Sequence, residues 1–128
     1  MSMTAIVTPQ APQAIGPYVQ GVTFGNIVMT SGQLPLHPET KVMPEDVAEQ
    51  TTQSLNNALA IVKEAGLEAC HIVKTTVFVK DLNDFSKVNA AYEAFFSLHQ
   101  APFPARSCVE VARLPLDAKV EIEVIAVH

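Results

Sequence analysis

The stretch APFPARSCVEVARLPLDAKVEIEVIAVH, residues 101–128, contains two runs that predict β-strands. Polarity alternates with a period of two in residues 106–112 and again in residues 119–127, and the second run is rich in β-branched side chains. Pro115 lies between them, and a proline fixes φ and has no backbone N–H to donate to a neighbouring strand. The chain is therefore expected to reverse at residues 113–118 and to form an antiparallel hairpin.

Such a hairpin would bring Arg106 opposite a residue between Glu121 and Ile125. A guanidinium has a planar fork of donors that matches a carboxylate, whether the carboxylate belongs to a neighbouring side chain or to a ligand. Strand pairing alone favours a surface ion pair, which contributes under about 1 kcal/mol. A ligand-binding role for Arg106 needs support from the rest of the chain.

Length and composition indicate one domain, residues 1–128, with apolar surface to cover. The chain has 128 residues, of which 48% are hydrophobic and 16% are charged. A typical charged share is about 25%. So few charges favour a homo-oligomer, in which subunit contacts cover exposed apolar surface.

The charge distribution argues against nucleic acid and membranes as partners. The formal net charge is -5, and residues 1–40 contain no Lys or Arg. The sequence has no basic patch that could bind a phosphate backbone. A signal or transit peptide would need basic residues, and these are also missing from residues 1–40. No apolar run approaches the roughly 18 residues of a membrane span. We therefore expect a soluble cytoplasmic protein.

Metal and cofactor motifs are missing from the sequence. Two cysteines and four histidines show neither CxxC nor HxxxH spacing, and no P-loop or dinucleotide fingerprint is present. Neither a metal nor a cofactor is expected. Cys108 shares a strand face with Arg106 and Glu110, whose opposite charges have opposing effects on the pKa of a thiol. A small hydrophobic role is therefore expected for its side chain.

The rest of the chain predicts alternating strands and helices. Residues 1–17 are expected to form an arm with one short strand at Ile6-Val7, and residues 18–24 and 27–33 a hairpin around Gly25-Asn26. Helical periodicity predicts a helix over 45–65 that ends before Gly66, and a strand is expected at 71–80. The order of elements predicts an α+β fold, a mixed sheet with two helices packed on one face.

A second helix is expected after residues 81–84, which supply its N-cap. Its apolar stripe is interpreted as core packing, with Asn89 beside the stripe; the stripe consists of Phe85, Val88, Tyr92, Phe95 and Phe96.

Several motifs recur in register with a known family. These are AIGPY at 14–18, TSGQ at 30–33, VKTTVFVKDLNDF at 73–85, VN at 88–89 and PARSCV at 104–109, which continues through RL at 113–114 and VEI at 120–122. The chain resembles the Rid (YjgF-like) protein family over essentially all 128 residues. The likeness is strongest to the enamine/imine deaminases of that family.

The resemblance implies a chorismate-mutase-like fold that assembles as a homotrimer with sites between subunits. It implies that Arg106 binds the substrate carboxylate and that Glu121 holds or activates the attacking water. The backbone near Cys108 would help to hold that water or the imine nitrogen. Four further residues would complete the pocket: Tyr18, Ser31, Gly32 and Asn89.

The implied reaction is the hydrolysis of 2-iminobutanoate and 2-iminopropanoate to 2-oxo acids and ammonia. These imines form from enamines that PLP enzymes such as threonine/serine dehydratase release, and the reaction needs no cofactor. A non-catalytic module that binds or senses 2-oxo acids through Arg106 is the alternative. Ribonuclease and chaperone-like activities have been linked to the family, and the acidic composition argues against the first.

One loop departs from the family pattern. Relatives usually have a glycine soon after the threonine that is Thr40 here, whereas this chain continues with Lys41-Val42. The turn geometry at this point is therefore expected to differ.

Overall fold

The computed structural model describes residues 2–128, which form one mixed β-sheet with two α-helices. The strands are β1 (Thr4–Ile6), β2 (Gly21–Phe24), β3 (Ile27–Thr30), β4 (Ile72–Val79), β5 (Ala105–Glu110) and β6 (Val120–Val127). The helices are α1 (Val47–Glu64) and α2 (Phe85–Leu98), and short 3-10 helices lie at Ala69–His71, Leu82–Asp84 and Pro115–Asp117. The predicted α+β class is confirmed.

The six strands follow the order β1-β2-β3-β6-β4-β5. β4 and β5 are parallel, and the other neighbours are antiparallel. Because parallel strands need a long crossover, α2 connects β4 to β5. The side chains of both α-helices pack into the same core as one face of the sheet, and within residues 2–128 the other face carries no α-helix.

The predicted C-terminal hairpin is wrong, because β4 lies between β5 and β6. Thr75 of β4 pairs with Arg106 on one side and with Val124 on the other. Burial explains this order: alternate β6 residues from Val120 to Ala126 are at most 1% exposed, whereas most β5 residues are exposed. The strand with one fully buried face takes an interior position, and the more polar strand forms the edge.

The long helix agrees closely with its prediction. Asp46 caps α1 by accepting a hydrogen bond from the backbone N–H of Glu49 at 3.0 Å. Gly66 follows the helix with a φ of 88°, as expected of a residue past a helix end. The four apolar positions that predicted the helix are all buried: Val47, Leu55, Leu59 and Val62.

The β2–β3 hairpin is confirmed, although its strands are shorter than predicted. Gly25 adopts a φ of 59° in the two-residue turn. Beyond β3 the ladder is interrupted, because the Thr30 hydroxyl, not a backbone carbonyl, accepts the N–H of Val124 at 3.0 Å. Pairing resumes where Gln33 and Ile122 exchange two backbone hydrogen bonds of 2.7 and 3.2 Å. Residues 31–32 therefore bulge out of the sheet.

The N-terminal segment was predicted to be an arm, but part of it packs into the core. The side chains of Ile6 and Ala11 are 5% and 2% exposed. The buried Gln20 amide accepts the N–H of Thr8 at 2.7 Å and donates to the carbonyls of Thr8, Ala11 and Pro12 at 2.9–3.2 Å. This one side chain fixes residues 8–12 against the sheet.

The second helix begins differently from its prediction. Asp81 accepts the N–H of Asn83 at 2.9 Å and so caps the 3-10 helix that precedes α2, not α2 itself. Four residues of the apolar stripe are buried as predicted, namely Val88, Tyr92, Phe95 and Phe96, whereas Phe85 is 40% exposed. Neither helix of residues 2–128 is long and apolar enough to cross a membrane.

We expect Lys41→Gly to stabilise the protein. Lys41 has a φ of 62°, the left-handed conformation that costs a residue with a Cβ roughly 1–2 kcal/mol and glycine nothing. Glycine's larger entropy loss offsets part of that gain, so the free energy of unfolding in urea should rise by up to about 1 kcal/mol. Thr40→Gly is the control and should be destabilising, because Thr40 does not have a positive φ. A Lys41→Gly protein less stable than wild type would contradict the prediction.

Candidate functional site

All the predicted site residues except Cys108 line two clefts. The smaller, of about 300 Å³, is formed by β5 and the face of α2 that packs beside it. Its lining includes Arg106, Asn89 and Tyr92, together with Glu93, Phe103 and Pro104.

Three residues of α2 hold the guanidinium of Arg106. Its Nη1 donates to Oδ1 of Asn89 at 2.7 Å. Its Cζ lies 4.8 Å from the ring centroid of Tyr92 and 5.5 Å from that of Phe85, both within cation–π range. The remaining N–H groups of the guanidinium could donate hydrogen bonds to a carboxylate.

The ion pair that strand pairing favoured is not formed. Glu121 is not opposite Arg106 in the sheet, and the hydrogen-bond partner recorded for the guanidinium within residues 2–128 is an amide oxygen. A neutral amide leaves the positive charge uncompensated. Arg106 is therefore available to an anionic ligand.

The role of the α2 aromatics was missed by the sequence analysis. Phe85 and Tyr92 were interpreted as core packing, which holds for Tyr92 only in part, since its ring also faces Arg106. The spacing Phe85–Asn89–Tyr92 places the three residues on successive turns of one helix face. That spacing, with a polar residue between two aromatic ones, is the pattern that could have indicated the contact.

Cys108 lies on the same side of β5 as Arg106 and is packed against the core. Burial raises the pKa of its thiol, and the nearby positive charge of Arg106 has a smaller, lowering effect. A thiol with a raised pKa is protonated at neutral pH and is a poor nucleophile. The side chain thus packs as a small hydrophobic residue, as expected.

The second cleft, of about 600 Å³, lies on the face of the sheet without helices. Glu121 points there because its neighbours in β6, Val120 and Ile122, are fully buried on the helix side. Its lining includes the polar residues Tyr18, Ser31, Glu121 and Glu123, the backbone of Gly32, and the apolar residues Ile15, Leu36, Phe78, Pro115 and Leu116.

The bulge after β3 brings Gly32 directly against Glu121. A Cβ on Gly32 would lie 2.9 Å from Cδ of Glu121, closer than real Cβ contacts allow, so any larger residue here would displace the Glu121 side chain. Ser31 is held beside it, with its hydroxyl donating to the carbonyl of Val19 at 2.6 Å and its N–H to that of Gln20 at 2.9 Å. Tyr18 is 51% exposed at the mouth of the cleft.

The carboxyl of Glu121 has a raised pKa. Burial is the larger cause, and the negative charge of Glu123, the next residue on the same strand face, is the smaller one. A carboxylate with a raised pKa accepts a proton more readily than an ordinary glutamate. A carboxylate of this kind is better suited than an ordinary one to take a proton from water.

Within one chain, the predicted site residues form two groups and not one. Arg106, Asn89 and Cys108 lie on the helix side of the sheet, whereas Tyr18, Ser31, Gly32 and Glu121 line the cleft on the opposite side. In residues 2–128 no group of three or more His, Cys, Asp or Glu side chains is placed to hold a metal ion.

Comparisons with known proteins connect this chain to a family. The model of the family described as endoribonuclease L-PSP matches residues 8–128. The chain is 67% identical to the 2-iminobutanoate/2-iminopropanoate deaminase of Escherichia coli K12, over 100% of this chain and 99% of that protein.

Two solved Escherichia coli structures are similar to this one. The YjgF gene product has a TM-score of 0.97 at 65% identity, over 98% of both chains. TdcF with bound serine has a TM-score of 0.96 at 56% identity, also over 98% of both chains. The resemblance seen in the motifs is confirmed.

We expect Glu123→Gln to lower the pKa of Glu121 without returning it to its ordinary value. The substitution removes the smaller cause and leaves burial, the larger one. Carboxyl ¹³C NMR titration of Glu121 in wild type and variant measures this pKa. An unchanged pKa would show that Glu123 has no influence on it.

The same substitution should change stability in one pH range. The folded chain holds the Glu121 proton to higher pH than the unfolded chain, so the associated stability is present below the ordinary pKa and is lost as the pH rises through the raised one. The Glu123→Gln variant should lose less stability than wild type as the pH rises, because the pKa of its Glu121 is raised less. Its Tm relative to wild type should therefore be higher at neutral pH than below about pH 4, where Glu121 is protonated in both states.

Proposed function

The chain belongs to the endoribonuclease L-PSP family, and from that premise we propose that it is a 2-iminobutanoate/2-iminopropanoate deaminase acting in the cytoplasm. The identity to the Escherichia coli deaminase, which extends over the whole chain, is the observation that carries this proposal. The enzyme is a hydrolase of C=N bonds. Its substrates would be 2-imino acids derived from the enamines that PLP enzymes release, and its products 2-oxo acids and ammonia.

Arg106 is proposed to bind the substrate carboxylate. A 2-imino acid has its electrophilic carbon next to a carboxylate, so fixing the carboxylate on a bidentate guanidinium also orients the C=N bond. The uncompensated charge of Arg106 and its fixed position against α2 support this role. Asn89 would keep the fork turned toward the cleft.

Glu121 is proposed to position and activate the attacking water. The water oxygen adds to the imine carbon while a water proton passes to the carboxylate and from it to the nitrogen, which gives the carbinolamine. The carboxylate then relays the hydroxyl proton of the carbinolamine to its amino nitrogen. The C–N bond breaks and ammonia leaves as the C=O bond forms. The raised pKa of Glu121 supports the transfer, and the backbone near Gly32 and Cys108 would supply further hydrogen bonds.

The complete site is proposed to form between two copies of the chain. Arg106 and Glu121 lie on opposite sides of one sheet, so a single copy cannot present both to one small substrate. A second copy could bring its Glu121 cleft to the Arg106 cleft of the first. The helix-free face has apolar side chains to cover in such contacts, including Met29 and Val109, which are 38% and 42% exposed. A homotrimer with the chorismate-mutase-like arrangement is the proposed assembly.

A module that binds 2-oxo acids without turnover is the second candidate. It would use the same Arg106, whose availability to a carboxylate is the observation in its favour. An RNA-cleaving activity, which the family description names, is disfavoured by the net charge of -5. Turnover therefore decides between the two carboxylate-binding functions.

We expect Arg106→Ala to abolish imine hydrolysis and leave the fold intact. The assay couples the protein to threonine dehydratase acting on threonine or serine and traps the remaining imine with semicarbazide. Wild type should lower the semicarbazone yield, and Arg106→Ala should not. Arg113→Ala is the matched control, since Arg113 is exposed and lines neither cleft, and it should behave as wild type. If wild type does not change the semicarbazone yield, the result would favour the binding module. A large fall in the Tm of Arg106→Ala would make Arg106 a structural residue.

We expect two inactive variants to restore each other. Gly32→Ala should displace the Glu121 carboxylate and lower turnover by about tenfold or more. When Gly32→Ala and Arg106→Ala chains are refolded together in equal amounts, about a quarter of the sites should combine two intact halves. Activity in the mixture that does not exceed the mean of the separate variants would contradict a site shared between copies.

A further inference from the structure

A buried pair of hydroxyl groups lies directly behind Arg106. The hydroxyl oxygens of Thr75 and Tyr92 are 2.7 Å apart. Thr75 is fully buried, and in the sheet it is the residue paired with Arg106. Tyr92 is 5% exposed, and its ring centroid lies 4.8 Å from the guanidinium carbon.

We propose that Tyr92 is a positioning residue for substrate binding, which fixes the plane of the Arg106 guanidinium through its ring and is itself held in place by the hydroxyl of Thr75. This inference rests on the proposed role of Arg106. In this arrangement the Thr75–Tyr92 pair sets the orientation of the Arg106 guanidinium, and Arg106 itself contacts the substrate.

The restraints on the fork come from three directions. Asn89 fixes one end through its hydrogen bond to Nη1, and Phe85 and Tyr92 contribute ring faces within 5.5 Å of Cζ. Phe85 is 40% exposed, whereas Tyr92 is buried and hydrogen-bonded, so Tyr92 is the more rigid of the two rings. A bidentate contact depends on the orientation of the fork, and a rigid ring beside it reduces the entropy lost on binding.

The tyrosine hydroxyl has a defined function in this arrangement. Burial raises the pKa of Tyr92, so the side chain is a neutral phenol and does not form an ion pair with Arg106. A buried phenol needs a hydrogen-bond partner, and Thr75 provides one on the strand next to Arg106. The hydrogen bond to Thr75, a residue of the sheet, therefore fixes the rotation of the Tyr92 ring.

The experiment compares Tyr92→Leu, Tyr92→Phe and Thr75→Val with wild type. The readouts are the dissociation constant of 2-oxobutanoate by calorimetry, KM and kcat in the semicarbazide-coupled assay, and the NMR shift of the Arg106 Nε proton. Tyr92→Leu should weaken 2-oxobutanoate binding by about tenfold and raise KM more than it lowers kcat. Tyr92→Phe, which keeps the ring, and Thr75→Val should each weaken binding by a smaller factor.

A matched control separates positioning from packing. Phe95 is 3% exposed on the same helix, and its recorded ring contacts are with Phe96 and His99. Phe95→Leu should lower Tm as Tyr92→Leu does, because each removes a buried ring, but should leave the 2-oxobutanoate affinity unchanged. In an Arg106→Ala background, Tyr92→Leu should have no further effect on affinity.

The outcomes distinguish this inference from the proposed function. Equal affinity and KM in wild type and Tyr92→Leu would overturn the inference and leave the deaminase proposal standing. Tyr92-dependent binding of 2-oxobutanoate without imine turnover would support the inference and reject the deaminase. The NMR shift of the Arg106 Nε proton can be measured without any ligand. Loss of its ring-current shift in Tyr92→Leu but not in Tyr92→Phe supports the inference. An unchanged shift in both variants overturns it.

Discussion

Burial of one face of β6 against the helices determines which strands can lie beside it. Val120, Ile122, Val124 and Ala126 leave almost no surface exposed, and an edge strand could not cover all of them so completely. β3 and β4 therefore pair on either side of β6, and β5 is moved to the edge beside β4. The alternate residues Glu121 and Glu123 necessarily face the other side.

The sequence predicted most of the local structure and much less of the pairing. Periodicity and end residues located α1 between Asp46 and Gly66, because these features depend on neighbouring residues only. The C-terminal strands were also located, but their pairing was wrong. A proline-containing loop and two alternating runs are equally compatible with a hairpin and with strands separated by β4. Only the competition of all six strands for the buried positions decides between them.

The candidate site residues were predicted by motif, whereas their contacts were only partly predictable. The helical spacing of Phe85, Asn89 and Tyr92 could have indicated the contact of Arg106 with Tyr92, but nothing in the residues themselves places Gly32 against Glu121. The first contact depends on how α2 lies beside β5, and the second on the interruption of the β3–β6 ladder by the Thr30 hydroxyl. The left-handed Lys41 lies in a loop that is held at both ends by side-chain amides. Asn57 donates to the carbonyls of Leu34 and Leu36 at 3.0 and 2.9 Å, and Gln50 donates to that of Pro44 at 2.7 Å.

In the site proposed between two copies, the placement of Arg106 and Glu121 on opposite sides of the sheet would link catalysis to the amount of protein present. A site assembled from two copies exists only in the fraction of chains that have associated, so specific activity would fall on dilution below the dissociation constant of the assembly. A newly synthesised chain would be inactive until it met others. Substrate that bridges two copies would in turn strengthen their association, so the assembly would be most persistent when imines are abundant.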